Sequence, residues 1–290
     1  MSAPLAVFDY DKLLNRPFAP IEHAYTAKDS ILYALGIGLG RDPMDRKELP
    51  FVYEDGQKTL PTQAVVLGYP GFWAKEPDTG IVWQKVLHAS QGLQLHRPIP
   101  SSGTVVGRTR ITSILDKGPN VGALICAERT VTDKASGQLL ATVNQVSMAR
   151  GNGGFGGPSG PTPAPVKLPE SAAERQCDLP TSPSQALLYR LSGDFNPLHA
   201  DPDVAAAGGF TRPILHGLCT YGVVCHALLK TLCDYDTARL KRFDARFTSP
   251  VYPGETIRTE IWGARGEVLF RATALERGVV VLGNGLAVID

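Results

Sequence analysis

The chain has 290 residues, 43% hydrophobic and 20% charged, the balance of a globular protein long enough for two domains. Its 29 basic and 28 acidic side chains nearly cancel, so bulk charge gives no sign of a nucleic-acid footprint or a polybasic membrane contact. Five scattered cysteines, no basic-then-apolar leader, no C-terminal Ser-Lys-Leu and no apolar run of bilayer length lead us to expect a reduced, cytoplasmic protein without membrane attachment.

In chain order, a first helical piece is predicted at residues 29–39 and a shorter one at 62–68. Four β-rich runs follow, at 93–95, 104–115, 122–133 and 139–149. Residues 151–168, GNGGFGGPSGPTPAPVKL, are glycine-rich and then proline-rich, so they form neither a helix interior nor a central strand. We therefore read residues 1–150 as one domain, 151–170 as a linker and 171–290 as a second domain. The second half opens with a helical piece at 182–192. An apolar helix follows at 215–232, where Leu218, Tyr221, Val224, Cys225 and Leu228 recur at helical spacing. Further strands are predicted at 245–248, 256–264, 267–275 and 279–289. Their alternation fits antiparallel strands with one covered face. A helix on an antiparallel sheet, made twice, is an α+β arrangement.

The halves also echo one another. Leu32-Tyr33-Ala34-Leu35-Gly36 is repeated as Leu188-Tyr189-Arg190-Leu191-Ser192, and Pro98-Ile99-Pro100 with Gly103-Thr104 as Pro250-Val251-Tyr252-Pro253 with Gly254-Glu255-Thr256. Similar offsets point to an internal duplication.

One segment carries chemistry. In Gly193-Asp194-Phe195-Asn196-Pro197-Leu198-His199, glycine and proline prevent continuous helix while a carboxylate, an amide and an imidazole crowd together. An Asp/His pair can act as general base and general acid, which is worth about 10²–10⁴-fold. Asp and Asn are equally favoured as turn and cap residues, so the residues alone leave both readings open. Downstream, Pro213-Ile214-Leu215-His216-Gly217 opens the apolar helix. The Gly217 amide falls in a first turn, where N–H groups are unpaired and can stabilise a developing oxyanion; tight helix packing would also call for glycine. His216 could be catalytic but reads first as a structural or capping imidazole, and His226 as a satisfied histidine inside the helix.

At these residues the chain resembles the hydratase-2 family of (R)-specific enoyl-CoA hydratases within the MaoC-like dehydratases. The resemblance rests on Tyr189-Arg190-Leu191-Ser192-Gly193-Asp194 with Asn196-Pro197-Leu198-His199, on Pro213-Ile214-Leu215-His216-Gly217-Leu218-Cys219-Thr220, and on Ala245-Arg246-Phe247 with Pro250-Val251-Tyr252-Pro253-Gly254. In the first half, Glu48-Leu49-Pro50-Phe51-Val52-Tyr53-Glu54, Val86-Leu87-His88 and Leu115-Asp116-Lys117-Gly118 are also similar to the family. The resemblance implies a double hot-dog fold, each half wrapping a curved antiparallel sheet around a helix. It implies that Asp194 and His199 hold the water, and that Asn196 and Gly217 orient the thioester oxygen. It further implies that His88, Ala89, Lys117 and Phe247 contact acyl-CoA, with Glu54 in a secondary role. No metal or other cofactor is expected beyond the CoA of the substrate, and a homodimer is. The first half carries Gly36-Ile37-Gly38-Leu39-Gly40 where the catalytic loop would fall, so one site per chain is expected, with the first half taking the acyl tail. After His88 the family's Gly-Glu-Gln is replaced by Ala89-Ser90-Gln91. Two other activities fit the same fold: a thioesterase, and a non-catalytic acyl-CoA-binding protein.

Overall fold

Alternating apolar and polar residues require a sheet with one covered face. The computed structural model, which describes residues 7–162 and 165–290, shows how these segments assemble. Helix α1 (Tyr10–Leu14), strand β1 (Ile21–Tyr25) and helices α2 (Ala27–Gly36) and α3 (Leu49–Val52) precede strands β2 (Val86–Leu95), β3 (Gly103–Asp116), β4 (Ala123–Asp133) and β5 (Leu139–Ala149). Strand β6 (Arg175–Pro180) and helices α4 (Gln185–Tyr189), α5 (Pro202–Ala207) and α6 (Gly217–Leu232) open the second half. Strands β7 (Leu240–Phe247), β8 (Thr256–Trp262), β9 (Gly266–Ala274) and β10 (Val279–Ile289) complete it.

The strands form one sheet in the order β1-β3-β4-β5-β2-β7-β10-β9-β8-β6. Read inward from either edge, both halves place an early short strand outermost and a seam strand innermost, which is the double hot-dog, α+β arrangement. Where two sheets were expected, the halves join edge to edge. Strands β2 and β7 pair antiparallel from Ser90↔Arg246 to Gln94↔Arg242. The repeated segments also meet in space, since the rings of Tyr33 and Tyr189 lie 5.9 Å apart.

A second difference concerns the helices. Helix α6 is buried along its length from Cys219 to Leu229, as a helix apolar on all sides must be. Its expected partner at 62–68 is only a 3-10 turn, Pro61–Val65, with Pro61 at its start. Gly68 then turns the chain with φ +60°, and a Cβ there would lie 2.8 Å from the Gly107 Cα on β3. The backbone thus rests directly on the sheet, leaving no room for a second long helix. Strands β1 and β6 went unpredicted; both are short edge strands with a single neighbour each.

The halves are fastened below the sheet as well. Glu48, 4% exposed, accepts from Tyr235 Oη at 2.8 Å, His226 Nε2 at 3.0 Å and the Gly40 amide at 2.8 Å. Burial alone would raise its pKa, but these hydrogen bonds and His226 outweigh it and hold the carboxyl at about 2. The linker is likewise pinned. Asp116 accepts from the amides of Gly118, Gly154 and Gly156 at 2.7–2.9 Å. A Cβ at Gly153 would lie 2.1 Å from the Gly118 carbonyl oxygen, so glycine is what allows this contact.

At Gly222 a Cβ would lie 2.7 Å from Ile37 Cγ2, so glycine lets the first half approach α6. Gly→Ala in an open helix gains about 1 kcal/mol, whereas forcing an atom into a filled core costs about 1–3 kcal/mol. Gly222→Ala should therefore lower the urea midpoint in the wild-type background. In an Ile37→Ala background the same substitution should raise it; loss of stability in both backgrounds would show that Ile37 is not the constraint.

Candidate active site

The loop between α4 and α5 takes its shape from its own polar groups. Gly193 follows the 3-10 turn Arg190–Ser192 with φ +117°. The Asp194 carboxylate accepts the Asn196 amide at 3.2 Å, and Asn196 Oδ1 accepts the Leu198 amide at 3.1 Å. Both residues therefore act as turn and cap, and in doing so they turn His199 inward. Its ring is buried, and Nδ1–H donates to the Ile214 carbonyl at 2.8 Å. That bond fixes the tautomer and leaves Nε2 as an acceptor.

His216, 1% exposed, packs on this ring with centroids 3.7 Å apart and planes 28° from parallel. Its Nε2–H donates to the Asp194 backbone carbonyl at 3.1 Å, locking the loop to the start of α6. Asp194, His199 and His216 each place one side-chain oxygen or nitrogen within 4.8 Å of the others. Burial is the main cause lowering both histidines, with the Asp194 charge opposing it. The neighbouring His199 lowers His216 further, to about 4. Burial also brings His88 to about 4. All three imidazoles are neutral at pH 7, so His199 can accept a proton there.

Gly217 is the first residue of α6, after His216 as N-cap. Its amide is among those a helix start leaves without an intrahelical partner. A Cβ on Gly217 would lie 3.1 Å from Phe247 Cε1, so the packing reason for glycine holds alongside the chemical one. Phe247 on β7 in turn meets His88 on β2, with ring centroids 4.6 Å apart. The structure thus gathers Asp194, His199, Gly217, Phe247 and His88. Ala89 sits beside them at an irregularity in the β2–β5 pairing, between His88 and Ser90.

The other expected residues lie elsewhere. Lys117, in the β3–β4 turn, donates to the Ser159 carbonyl at 2.5 Å and to Thr162 Oγ1 at 2.6 Å, both in the linker. Glu54 is exposed in the turn after α3, while the buried acid of that segment is Glu48. The Asn196 side chain is exposed, its oxygen committed to the cap. Two further residues belong to the site, one ranked as structural on its sequence and one given no site role there. His216, structural on its sequence context, stacks directly on His199. Tyr189 packs 5.0 Å from His216, and its buried hydroxyl has no hydrogen-bond partner among the described residues. The echo of Tyr33 in Tyr189 is the available signal for the latter.

Two family models cover most of the chain. Residues 23–151 match the MFE-2 hydratase 2 N-terminal domain and residues 166–284 the MaoC like domain. The chain belongs to the MaoC-like dehydratases of the hydratase 2 type. This hydratase-2 chain is 42% identical to the enoyl-CoA hydratase ChsH3 of Mycobacterium tuberculosis, over 97% of itself and 98% of that protein. It is 37% identical to the peroxisomal enoyl-CoA hydratase 2 of Arabidopsis thaliana, over 95% and 94%. A crystal structure of a MaoC-like dehydratase from Phytophthora capsici superposes with a TM-score of 0.86 at 35% identity, covering 97% and 98% of the two chains.

The buried histidines give the hydratase an acid sensitivity of known sign. Above pH 6.5 His216 is neutral in both folded and unfolded chains. Between about 6.5 and about 4 only the unfolded chain binds a proton there, so stability falls as pH falls and this contribution levels off below about 4. A tenfold difference in proton affinity between the folded and unfolded chains is worth about 1.4 kcal/mol. Urea midpoints measured from pH 8 to pH 4 should decline more steeply for the wild type than for His216→Asn; parallel curves would show that His216 is not responsible.

Proposed function

We propose that the protein is an (R)-specific enoyl-CoA hydratase, adding water reversibly to a trans-2-enoyl-CoA to give the (3R)-3-hydroxyacyl-CoA. One observation carries the reading. His199 is fixed by Ile214 so that neutral Nε2 faces the space shared with the Asp194 carboxylate, beside the open start of α6. Water held between Asp194 and His199 gives a proton to Nε2 as its oxygen bonds to C3. The electron pair of the double bond moves to the thioester oxygen, where the Gly217 amide and the helix dipole stabilise it. The proton is then returned to C2, so one water is consumed and both catalytic groups are restored. His88, Ala89 and Phe247 hold the acyl-CoA beside the loop, and Asn196 shapes the cap that presents His199.

No metal or separate cofactor takes part in this scheme. The first half, lacking an acid–base loop, accommodates the acyl tail of medium, long or bulky substrates. Leu187, Leu191 and Phe195 are each half exposed or more around the loop, an apolar surface that supports a homodimer. Five free cysteines support a reducing compartment such as the cytoplasm. Among the described residues no helix is long and apolar enough to cross a membrane.

With crotonyl-CoA or a longer enoyl-CoA, the enoyl absorbance should disappear without release of free thiol; thiol release would instead identify a thioesterase, and no turnover a binding protein. Asp194→Asn and His199→Gln should each lower kcat by about 10²–10⁴-fold while the circular dichroism spectrum stays that of the wild type. Near-wild-type turnover in both variants would remove the dyad from the mechanism.

A further inference from the structure

The inner face of the first half carries an uncompensated charge. Arg129 lies on β4 in line with buried Ala123, Ile125 and Val131, and is itself only 5% exposed. Its Nη2 donates to the Val65 carbonyl at 2.6 Å, the one hydrogen bond it makes among the described residues. Nε is buried without a partner, and no carboxylate forms an ion pair with the guanidinium among those residues. Its Cζ stands 5.3 Å from the centre of the Tyr69 ring. Burial lowers the guanidinium to about 10 and raises the Tyr69 hydroxyl to about 12, so at neutral pH the first is a cation and the second a proton donor.

Geometry also ties this arginine to the proposed site: the turn it holds packs on α6, the helix that opens at Gly217. The turn whose carbonyl Arg129 holds, Pro61–Val65, carries two further buried polar atoms without partners among the described residues, Thr62 Oγ1 and Gln63 Oε1. A purely alkyl tail would leave the donors among these groups, Arg129 Nε–H and the Thr62 hydroxyl, without an acceptor, which a carboxylate supplies; Gln63 Oε1, itself an acceptor, is not matched by either. Burying a charge is costly unless it is paired and hydrogen-bonded, and the described residues provide no ion-pair partner here.

We propose that Arg129 and Tyr69 form a specificity subsite for a carboxylate at the far end of the acyl chain, so that the preferred substrates are ω-carboxy-trans-2-enoyl-CoA thioesters. This inference rests on the hydratase reading and adds the substrate class. The tail carboxylate accepts from Arg129 Nε and from the Tyr69 hydroxyl, pairing the buried cation. Arg129 is a binding residue in this scheme and takes no part in proton transfer.

The test compares kcat/KM for matched alkyl and ω-carboxy enoyl-CoA substrates of six, eight, ten and twelve carbons. At the length that reaches the subsite, the wild type should favour the carboxylate by about tenfold or more, each tenfold being about 1.4 kcal/mol. Arg129→Met should erase that preference while keeping turnover of crotonyl-CoA, which is too short to reach the subsite; removing an unpaired buried charge for an apolar side chain of similar length is well tolerated. Tyr69→Phe, which keeps the ring, should weaken the preference without abolishing it. Equal kcat/KM for both series in the wild type, or equal losses on every substrate including crotonyl-CoA in Arg129→Met, would overturn the proposal. If the wild type hydrates nothing, the hydratase reading fails instead. Calorimetry with saturated decanoyl-CoA and its ω-carboxy counterpart then decides the subsite alone: tighter binding of the carboxylate, lost in Arg129→Met, supports it, and equal binding overturns it.

Discussion

The antiparallel seam between β2 and β7 is the constraint on which the other arrangements depend. It places Leu93 opposite Phe243, both buried, and makes one sheet of two halves. With β2 held by β5 on one side and β7 on the other, neither strand can shift register without moving its side chains to the opposite face. The same register sets His88 against Phe247, and Phe247 against Gly217. The rim of the proposed active site is thus a by-product of how two sheets were fused. Beneath the seam, α6 is enclosed by both halves, and Gly222 and Glu48 show how closely the first half is fitted to it.

Around α6 burial acts on two kinds of group, with different outcomes. At the acid–base loop and the seam beside it, burial keeps His199, His216 and His88 neutral, and fixed hydrogen bonds decide which nitrogen of His199 and His216 carries the proton. On the inner face of the first half, burial lowers Arg129 as well, but from so high a value that it stays charged, and it keeps Tyr69 protonated; among the described residues the arginine has a single carbonyl to hold. A proton-transfer site needs groups that change charge readily near neutral pH, whereas a recognition site needs groups that do not. The division of the molecule follows this chemical difference.

Much of this was legible in the sequence where the relevant residues are neighbours along the chain. Asp194, Asn196 and His199 fall within one loop, and Gly217 announces itself after Pro213 at the start of an apolar helix. The long inner strands were visible because β3, β4 and β5 alternate over many residues. Strand β2 was recognised only at its end, since the irregularity near Ala89 and neighbours on both sides break the alternation that a half-covered strand displays. The short edges β1 and β6 gave too few residues to show a period. Whether Asp194 and Asn196 were caps or chemistry could not be decided from spacing, and the geometry shows why: capping is what delivers His199 to its place. Arg129 and Tyr69, far apart in the chain and each unremarkable alone, become neighbours only once Gly68 settles on Gly107.

The shortened turn at Pro61–Val65, standing where a second long helix would have been, has a consequence for how such proteins can change. In an assembly of two identical chains, any substitution that widens a binding cavity is imposed on both copies, including the one that performs the chemistry. Once the two units share a chain, each can drift alone. With the subsite and the dyad as proposed, a replacement at Arg129 or along 61–69 would alter what is admitted, while the residues assigned to the proton are encoded in the other half and would inherit none of it. Relatives of this enzyme should therefore diverge in appetite sooner than in reaction.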